Sequence, residues 1–358
     1  MDRILKIWKA ALLSAMLTAI TMNSAYGGVT NPDISVIGQA RTFRTDEESD
    51  VNRNRGQISF EEVELLFDAA LNPFARGTFV FAVANDAVEV EEGYLVMTRG
   101  LPAGWGLKLG KYRAGFGKLN PVHPHAYPFL ERFRVLEAYL PGEEAYNEIG
   151  AQISYRLPLP GSIASTLSAD VFQGNSFHPD EEDQARPALL GRWSNFFMLS
   201  GASSMEVGFS ATRGINHVSQ NAITDVFGLD AKAKLWFSPW NVLVIQGEAL
   251  LLNREEVSLD SISQAEWENI HSGGFYMFAD YTMKKRYNFG AKYERYQRPE
   301  STKPWDQSAG IFAGLALMEE TTIFRLNWDH YIPSDGDPVN TYTLQVVFSM
   351  GPHKPHQF

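Results

Sequence analysis

The feature that most constrains this chain is a regular alternation in the length of the connections between extended segments. Stretches of period-two patterning bounded by turn residues occur at roughly 32–45, 57–71, 75–86, 88–100, 104–116, 148–158, 162–174, 186–200, 203–214, 222–238, 240–254, 270–284, 287–298, 306–319, 321–332 and 341–350. Most run to about 10–15 residues, longer than the usual strand of 5 or 6 and suited to a tilted strand that crosses a bilayer and projects beyond it. Connections after the even-numbered segments are tight and turn-rich (NPFA, LPAG, LPLPGS, SGAS, SPW, KKR, MEE), whereas those after the odd-numbered ones are usually longer and more polar. Transmembrane barrels have this asymmetry, with short periplasmic turns and long outer loops. A soluble sandwich needs neither the asymmetry nor strands of this length. An even strand count also closes the sheet without an edge, as hydrocarbon requires, because no water is present there to pair a free backbone N–H.

The faces of these segments agree. In TTIFRLNWDHYI (321–332), Thr322, Phe324, Leu326 and Trp328 fall on one side and Ile323, Arg325, Asn327 and Asp329 on the other. Tyr287, Phe289, Ala291 and Tyr293 oppose Asn288, Lys292 and Glu294 in the same way, and Leu229, Ala231, Ala233, Leu235 and Phe237 oppose Asp230, Lys232 and Lys234. Tyr342, Leu344, Val346, Phe348 and Met350 oppose Thr341, Thr343, Gln345 and Ser349. Charges buried in a dry core are costly, so the polar faces are wet, and the connection lengths make the wet space a lumen. Trp105, Trp193, Trp236, Trp240, Trp328, Tyr287 and Tyr342 lie near segment ends, where aromatic girdles sit. Two segments depart from the pattern. Residues 88–98 change phase around Glu92 and Gly93, which predicts a β-bulge, and residues 306–318 are apolar on both faces. The expected fold is all-β: a single transmembrane antiparallel up-and-down β-barrel of about 16 strands.

Composition narrows the functional classes. Cysteine is absent from the 358 residues, which removes disulfides, thiolate metal sites and cysteine nucleophiles together. A net charge of −11 opposes nucleic-acid binding, which needs a basic surface. Arg3, Lys6 and Lys9 precede the apolar run 10–22, and Ala25-Tyr26-Gly27 supplies small residues at the positions signal peptidase reads. Residues 1–27 therefore read as a cleaved signal peptide and 28–358 as the barrel, exported to a Gram-negative outer membrane. The expected partners are the lipid bilayer and lipopolysaccharide, with small hydrophilic solutes or ions in the lumen. The acidic runs DEESD (46–50), GEEAYNE (142–148) and DEED (180–183) fall in outer loops, as solvated faces or as sites that concentrate cations and bridge lipopolysaccharide.

No nucleophile elbow, H-E-x-x-H or phosphate-cradling glycine loop is present, and Asp329 and His330, adjacent on a strand, point to opposite faces. No catalytic residue is assigned, and the protein is expected not to be an enzyme. The candidate pore-lining residues are Lys108, Arg156, Arg192, Lys232, Lys234, Lys292, Glu294, Arg325, Asn327 and Asp329. They mix signs, so no ion selectivity follows from them.

The longest connection runs from about Gly117 to Asn147, GKLNPVHPHAYPFLERFRVLEAYLPGEEAYN. Its aromatics and leucines need something to pack on, and folding into the barrel mouth, where it narrows the pore, is the simplest arrangement. The stretch around Leu107, Lys108, Gly110, Phe116, Gly117, Leu119, Asn120, His123, His125 and Phe129 resembles the signature region of a family of outer-membrane porin-like proteins. Some members of that family are described as zinc-regulated outer-membrane receptors, and phosphate-selective porins are similar at a greater distance. The opening NPDISVIGQ and the closing GPHKPHQF also look like the ends of that family, while Tyr127 stands where it carries Trp. The resemblance implies a barrel and envelope transport. Barrels of this kind often assemble as homotrimers, a candidate assembly here, although no stretch of sequence marks an interface. No cofactor is expected; zinc is the candidate ion. An H-x-H pair, here His123 and His125, suits Zn(II) or Cu(II) but supplies two ligands where zinc takes three or four. Glu131, or the acidic loop HPDEED that begins at His178, is the candidate to complete the set. The alternative is that both histidines pack inside the loop, as His353 and His356 are equally free to be solvated in the tail.

Overall fold

An extended chain must pair its backbone N–H and C=O groups with a neighbouring strand, and in this molecule the pairing runs full circle. The computed structural model describes residues 32–84, 87–142, 144–179, 186–259, 265–318 and 321–351. Their strands are β1 (Asp33–Thr45), β2 (Gln57–Asn72), β3 (Ala75–Ala84), β4 (Ala87–Met97), β5 (Trp105–Arg113), β6 (Asn147–Leu157), β7 (Ile163–Phe172) and β8 (Ala188–Ser200). They continue as β9 (Ser203–His217), β10 (Ala222–Ser238), β11 (Asn241–Leu259), β12 (Ala265–Met283), β13 (Tyr287–Gln297), β14 (Trp305–Met318), β15 (Thr322–Ile332) and β16 (Val339–Met350). Each strand is antiparallel to its sequence neighbours, and β1 closes on β16 from Val36↔Met350 to Thr45↔Thr341. The closed barrel of sixteen strands is the fold the connection lengths call for. The signal-peptide segment 1–27, the tail histidines and the acidic run 180–183 lie outside the described residues.

Several boundaries differ from the sequence reading. Strand β5 ends at Arg113, not at 116, because Ala114 already turns inward to begin the long loop. Strands β11 and β12 stay paired out to Leu259↔Ala265, well beyond the patterned stretch. The connections β3–β4 and β9–β10 are short although they lie on the long-loop rim. The anticipated bulge is present and has a consequence. Val80 pairs with Glu92 while Phe81 pairs with Val90, so Glu91 is the inserted residue, and Glu91 and Glu92 are both buried on the inside.

The exterior is apolar as expected: Leu229, Leu326, Tyr342, Leu344 and Phe348 are exposed there, while Asp230, Asn327, Thr343 and Gln345 are buried on the inside. Trp236 is an exception to the girdle reading. It shares the inner face with Lys234, whose Nζ stands 5.2 Å from its ring. Glu148 likewise does not lie on a solvated face; it is buried at the start of β6, where its carboxylate accepts from the Ser176 N–H at 3.2 Å. The hydrophobic core sits in the lumen, where residues 114–146 and their one α-helix, α1 (Arg134–Tyr139), fold against the inner wall.

Candidate functional site

The long loop leaves β5, crosses the lumen and returns to β6, and Asn120 ties its two ends together. The Asn120 amide donates to the carbonyls of Ala114 (2.8 Å) and Tyr146 (3.0 Å), and its oxygen accepts from Tyr146 N–H (3.0 Å) and Arg132 Nη2 (2.9 Å). All four hydrogen-bonding capacities of this buried amide are used. The loop then meets the far wall. Lys118 and Leu119 donate their N–H groups to Glu248 Oε1 at 2.7 and 2.9 Å, and Tyr276 donates its hydroxyl to the same oxygen at 2.5 Å. Gly117 has φ +61°, and a side chain there would run into the Glu248 carboxylate. Phe116 fits over Gly228, where a Cβ would approach its ring to 2.7 Å. The F-G-x-L-N motif is thus the part of the loop that lets it enter the barrel.

Beyond this hinge the loop is held by two unlike surfaces. On the β12–β14 side the contact is aromatic. Phe129 meets Phe278 and Phe312 edge-on at 5.1 and 5.7 Å, and Phe133 stacks on Tyr276 at 4.1 Å. Phe312 explains why residues 306–318 read as apolar on both faces: its inner side receives the loop. Polar anchors surround this contact. Val135 N–H donates to Glu294 Oε2 (3.1 Å), Tyr139 hydroxyl to the Gln297 carbonyl (2.8 Å), and Arg325 Nη2 to the His125 carbonyl (2.8 Å).

On the β2–β4 side the contact is ionisable. His123 Nε2 lies 2.6 Å from Glu92 Oε1, and His123 Nδ1 lies 3.3 Å from Glu64 Oε2 and 3.4 Å from Glu91 Oε2. His125 Nδ1 is 3.2 Å from the same Glu64 oxygen. Burial and the nearby Arg113 oppose a charge on His123, but the three carboxylates outweigh them and hold its pKa well above the ordinary imidazole value. Of the candidates for completing the histidine pair, Glu131 is overturned. Glu131 is ion-paired with Arg41 at 2.6 Å, the acidic residues of HPDEED lie outside the described residues, and among the described residues the carboxylates around the histidines come from the barrel wall. Glu91 and Glu92 are aimed by the bulge, a feature visible in the sequence, whereas nothing in the sequence singles out Glu64.

The loop divides the lumen. A cavity of about 530 Å³ on the short-turn side is bounded by Tyr94, Lys108, Arg192, Glu206 and Lys232, and one of about 300 Å³ beside it by Lys232, Gln246, Asp280 and Arg325. On the long-loop side a third, of about 500 Å³, lies between α1, His178, His217 and Arg254. All ten candidate lining residues stand on the inner face, in two groups. Lys292, Glu294, Arg325, Asn327 and Asp329 are buried beneath the loop: Lys292 Nζ is 2.7 Å from Asp329 Oδ1, and Asn327 donates to Asp329. Lys108, Arg156, Arg192, Lys232 and Lys234 lie toward the short-turn side. Arg192 donates to Asp230 at 2.7 Å, Lys108 Nζ sits over the Tyr94 and Tyr112 rings at 4.0 and 4.2 Å, and Arg156 is exposed.

A closed sixteen-stranded barrel with an apolar exterior and a loop folded into its lumen is a porin-like β-barrel. Among solved structures the chain is similar to an anion-selective porin from Comamonas acidovorans, at TM-score 0.61 and 10% identity, with 90% of this chain and 100% of that one covered. A loop-deletion mutant of OmpT, an outer membrane protein of Vibrio cholerae, gives TM-score 0.59 at 12% identity over 89% of this chain and 99% of that one. The outer membrane channel DcaP of Acinetobacter baumannii gives 0.58 at 12% over 90% and 97%. At these identities the likeness is one of fold. In sequence, an uncharacterised protein of Aquifex aeolicus (strain VF5) is 27% identical over 345 residues, 87% of this chain and 72% of that one. No protein-family model matches the chain.

Proposed function

We propose that this protein is a non-enzymatic diffusion channel of a Gram-negative outer membrane, passing small hydrophilic solutes or ions, with the 114–146 loop as its constriction. The observation that carries the reading is the pairing of an apolar exterior with a charged lumen that the loop narrows without removing its cavities. Within the short-turn cavity, Lys118 is 2.6 Å from Glu206 and Arg192 2.7 Å from Asp230, while Lys108 and Lys232 have no ion-pair partner among the described residues. Glu64 and Glu92 line the same cavity, yet its basic side chains, Lys108, Arg113, Lys118, Arg192 and Lys232, outnumber its acidic ones, Glu64, Glu92 and Glu206, and that surplus favours anions at this step. Export through a signal peptide and assembly as a homotrimer belong to the same reading; one Vibrio cholerae OmpT structure of similar fold is a trimer form. Single-channel recording of the purified protein in a planar bilayer tests it. Discrete conductance steps are expected, with a reversal potential of anion-selective sign in a KCl gradient. An absence of steps would make this a closed structural barrel.

A further inference from the structure

The loop ends its crossing at a donor set that solute diffusion does not require. His123 Nδ1, His125 Nδ1 and a Glu64 carboxylate oxygen come together inside the barrel, with Glu64 Oε2 at 3.3 Å from the first and 3.2 Å from the second. Zinc takes nitrogen and oxygen ligands at about 2.0–2.1 Å in tetrahedral geometry, which sets neighbouring donors about 3.3–3.4 Å apart. The two separations from Glu64 Oε2 are of this size, and one ligand atom from each of the three residues lies within 4.8 Å of the others. Pro124, which by itself restricts the two rings, opens a 3-10 helix that sets them side by side, with centroids 5.6 Å apart and planes at 28°.

The surroundings carry a second, independent sign. His123 Nδ1 and Glu91 Oε2 are buried atoms without a hydrogen bond among the described residues, and they face each other at 3.4 Å. Glu91 is 7% exposed, and its other oxygen is held by Arg113 at 3.3 Å. Glu92 Oε1 lies 2.6 Å from His123 Nε2, the arrangement in which a carboxylate takes the remote N–H of a metal-bound histidine and leaves the other nitrogen bare for the ion. Three carboxylates buried around one imidazole call for compensating positive charge, which the protonated ring supplies by itself and a divalent ion supplies to the neutral ring, and two nitrogens in the set select against Mg²⁺ and Ca²⁺, which take oxygen ligands.

We propose that Glu64, His123 and His125 bind a divalent transition ion of the Zn(II) class, with Glu91 or water in the fourth position and Glu92 orienting His123. The ion clips the loop to strands β2 and β4 from inside the lumen. The experiment uses the folded full-length barrel in detergent, stripped with EDTA and titrated with Zn(II) by calorimetry and with Co(II) by visible absorption, so it does not depend on conductance. One ion per chain is expected, with intense four-coordinate Co(II) bands. Glu64→Gln and His125→Ala should abolish stoichiometric binding, Glu92→Gln should weaken it about 10–100-fold, and His178→Ala on the opposite rim should leave it unchanged. Heat-modifiable gel mobility establishes that each variant is folded. No stoichiometric site in the wild type, wild-type titrations in folded Glu64→Gln and His125→Ala, or an unaffected folded Glu92→Gln would each overturn the proposal.

Discussion

The same loop is gripped by two walls of opposite character. The β12–β14 wall offers Tyr276, Phe278 and Phe312, which bury Phe129 and Phe133 in aromatic contact. The β2–β4 wall offers Glu64, Glu91 and Glu92, which surround His123. Burial of aromatic rings draws on apolar area and ring packing and needs no charge or bound ion. A buried imidazole among carboxylates responds to whatever supplies positive charge there. The aromatic wall therefore fixes that the loop stays inside, and the acidic wall governs how tightly its near edge is held.

The largest effect should come from breaking the aromatic grip. Phe129→Ala removes a fully buried ring and should cost about 3–5 kcal/mol of docking energy; protease cleavage within the loop and a rise in open-channel conductance would report release. Unchanged protection would mean that the polar anchors hold the loop without it. Both walls belong to one inner face, which substitutions on either side of a strand can check. Leu344→Arg, on the exterior, should destabilise the barrel by about 2–4 kcal/mol in lipid, whereas Thr343→Arg, its inward neighbour, should fold and alter conductance. Equal damage from both, measured by urea unfolding in vesicles, would contradict the face assignment. A smaller loss is expected at the loop base, where both walls depend on one amide. Asn120→Ala removes the acceptor of the buried Tyr146 N–H and of Arg132 Nη2, while the Ala114 and Tyr146 carbonyls keep the N–H groups of Phe116 and Ala114, and should cost about 1–3 kcal/mol, read as enhanced hydrogen exchange across 114–146. The smallest change in stability belongs to Lys232→Glu, which faces the short-turn cavity. It should leave unfolding nearly unaltered while moving the reversal potential toward cations, and an unmoved potential would remove Lys232 from the ion path.

The wall was legible from sequence because its information is local. A period of two assigns each side chain of β15 or β16 to a face whatever the strand pairs with, and turn lengths order the strands around the ring. The loop was legible as a lumen insert from its own aromatics, which require a surface, and the phase slip at 88–98 located the bulge. Closure needed only an even count of long strands.

What no local pattern contains is which inner residue meets which part of the loop. Phe278 and Phe312 look like lapses in a polar face until Phe129 reaches them across the lumen. The histidine pair read as one or two ligands short of a set, because its neighbours lie on strands far from it in sequence. Only barrel closure carries Glu64 of β2 and the bulged Glu91 of β4 to within 3.4 Å of the ring of His123. Strand faces follow from the chirality and pleat of the chain itself, whereas the contacts across the lumen depend on the curvature of the whole ring and the depth to which one loop enters it.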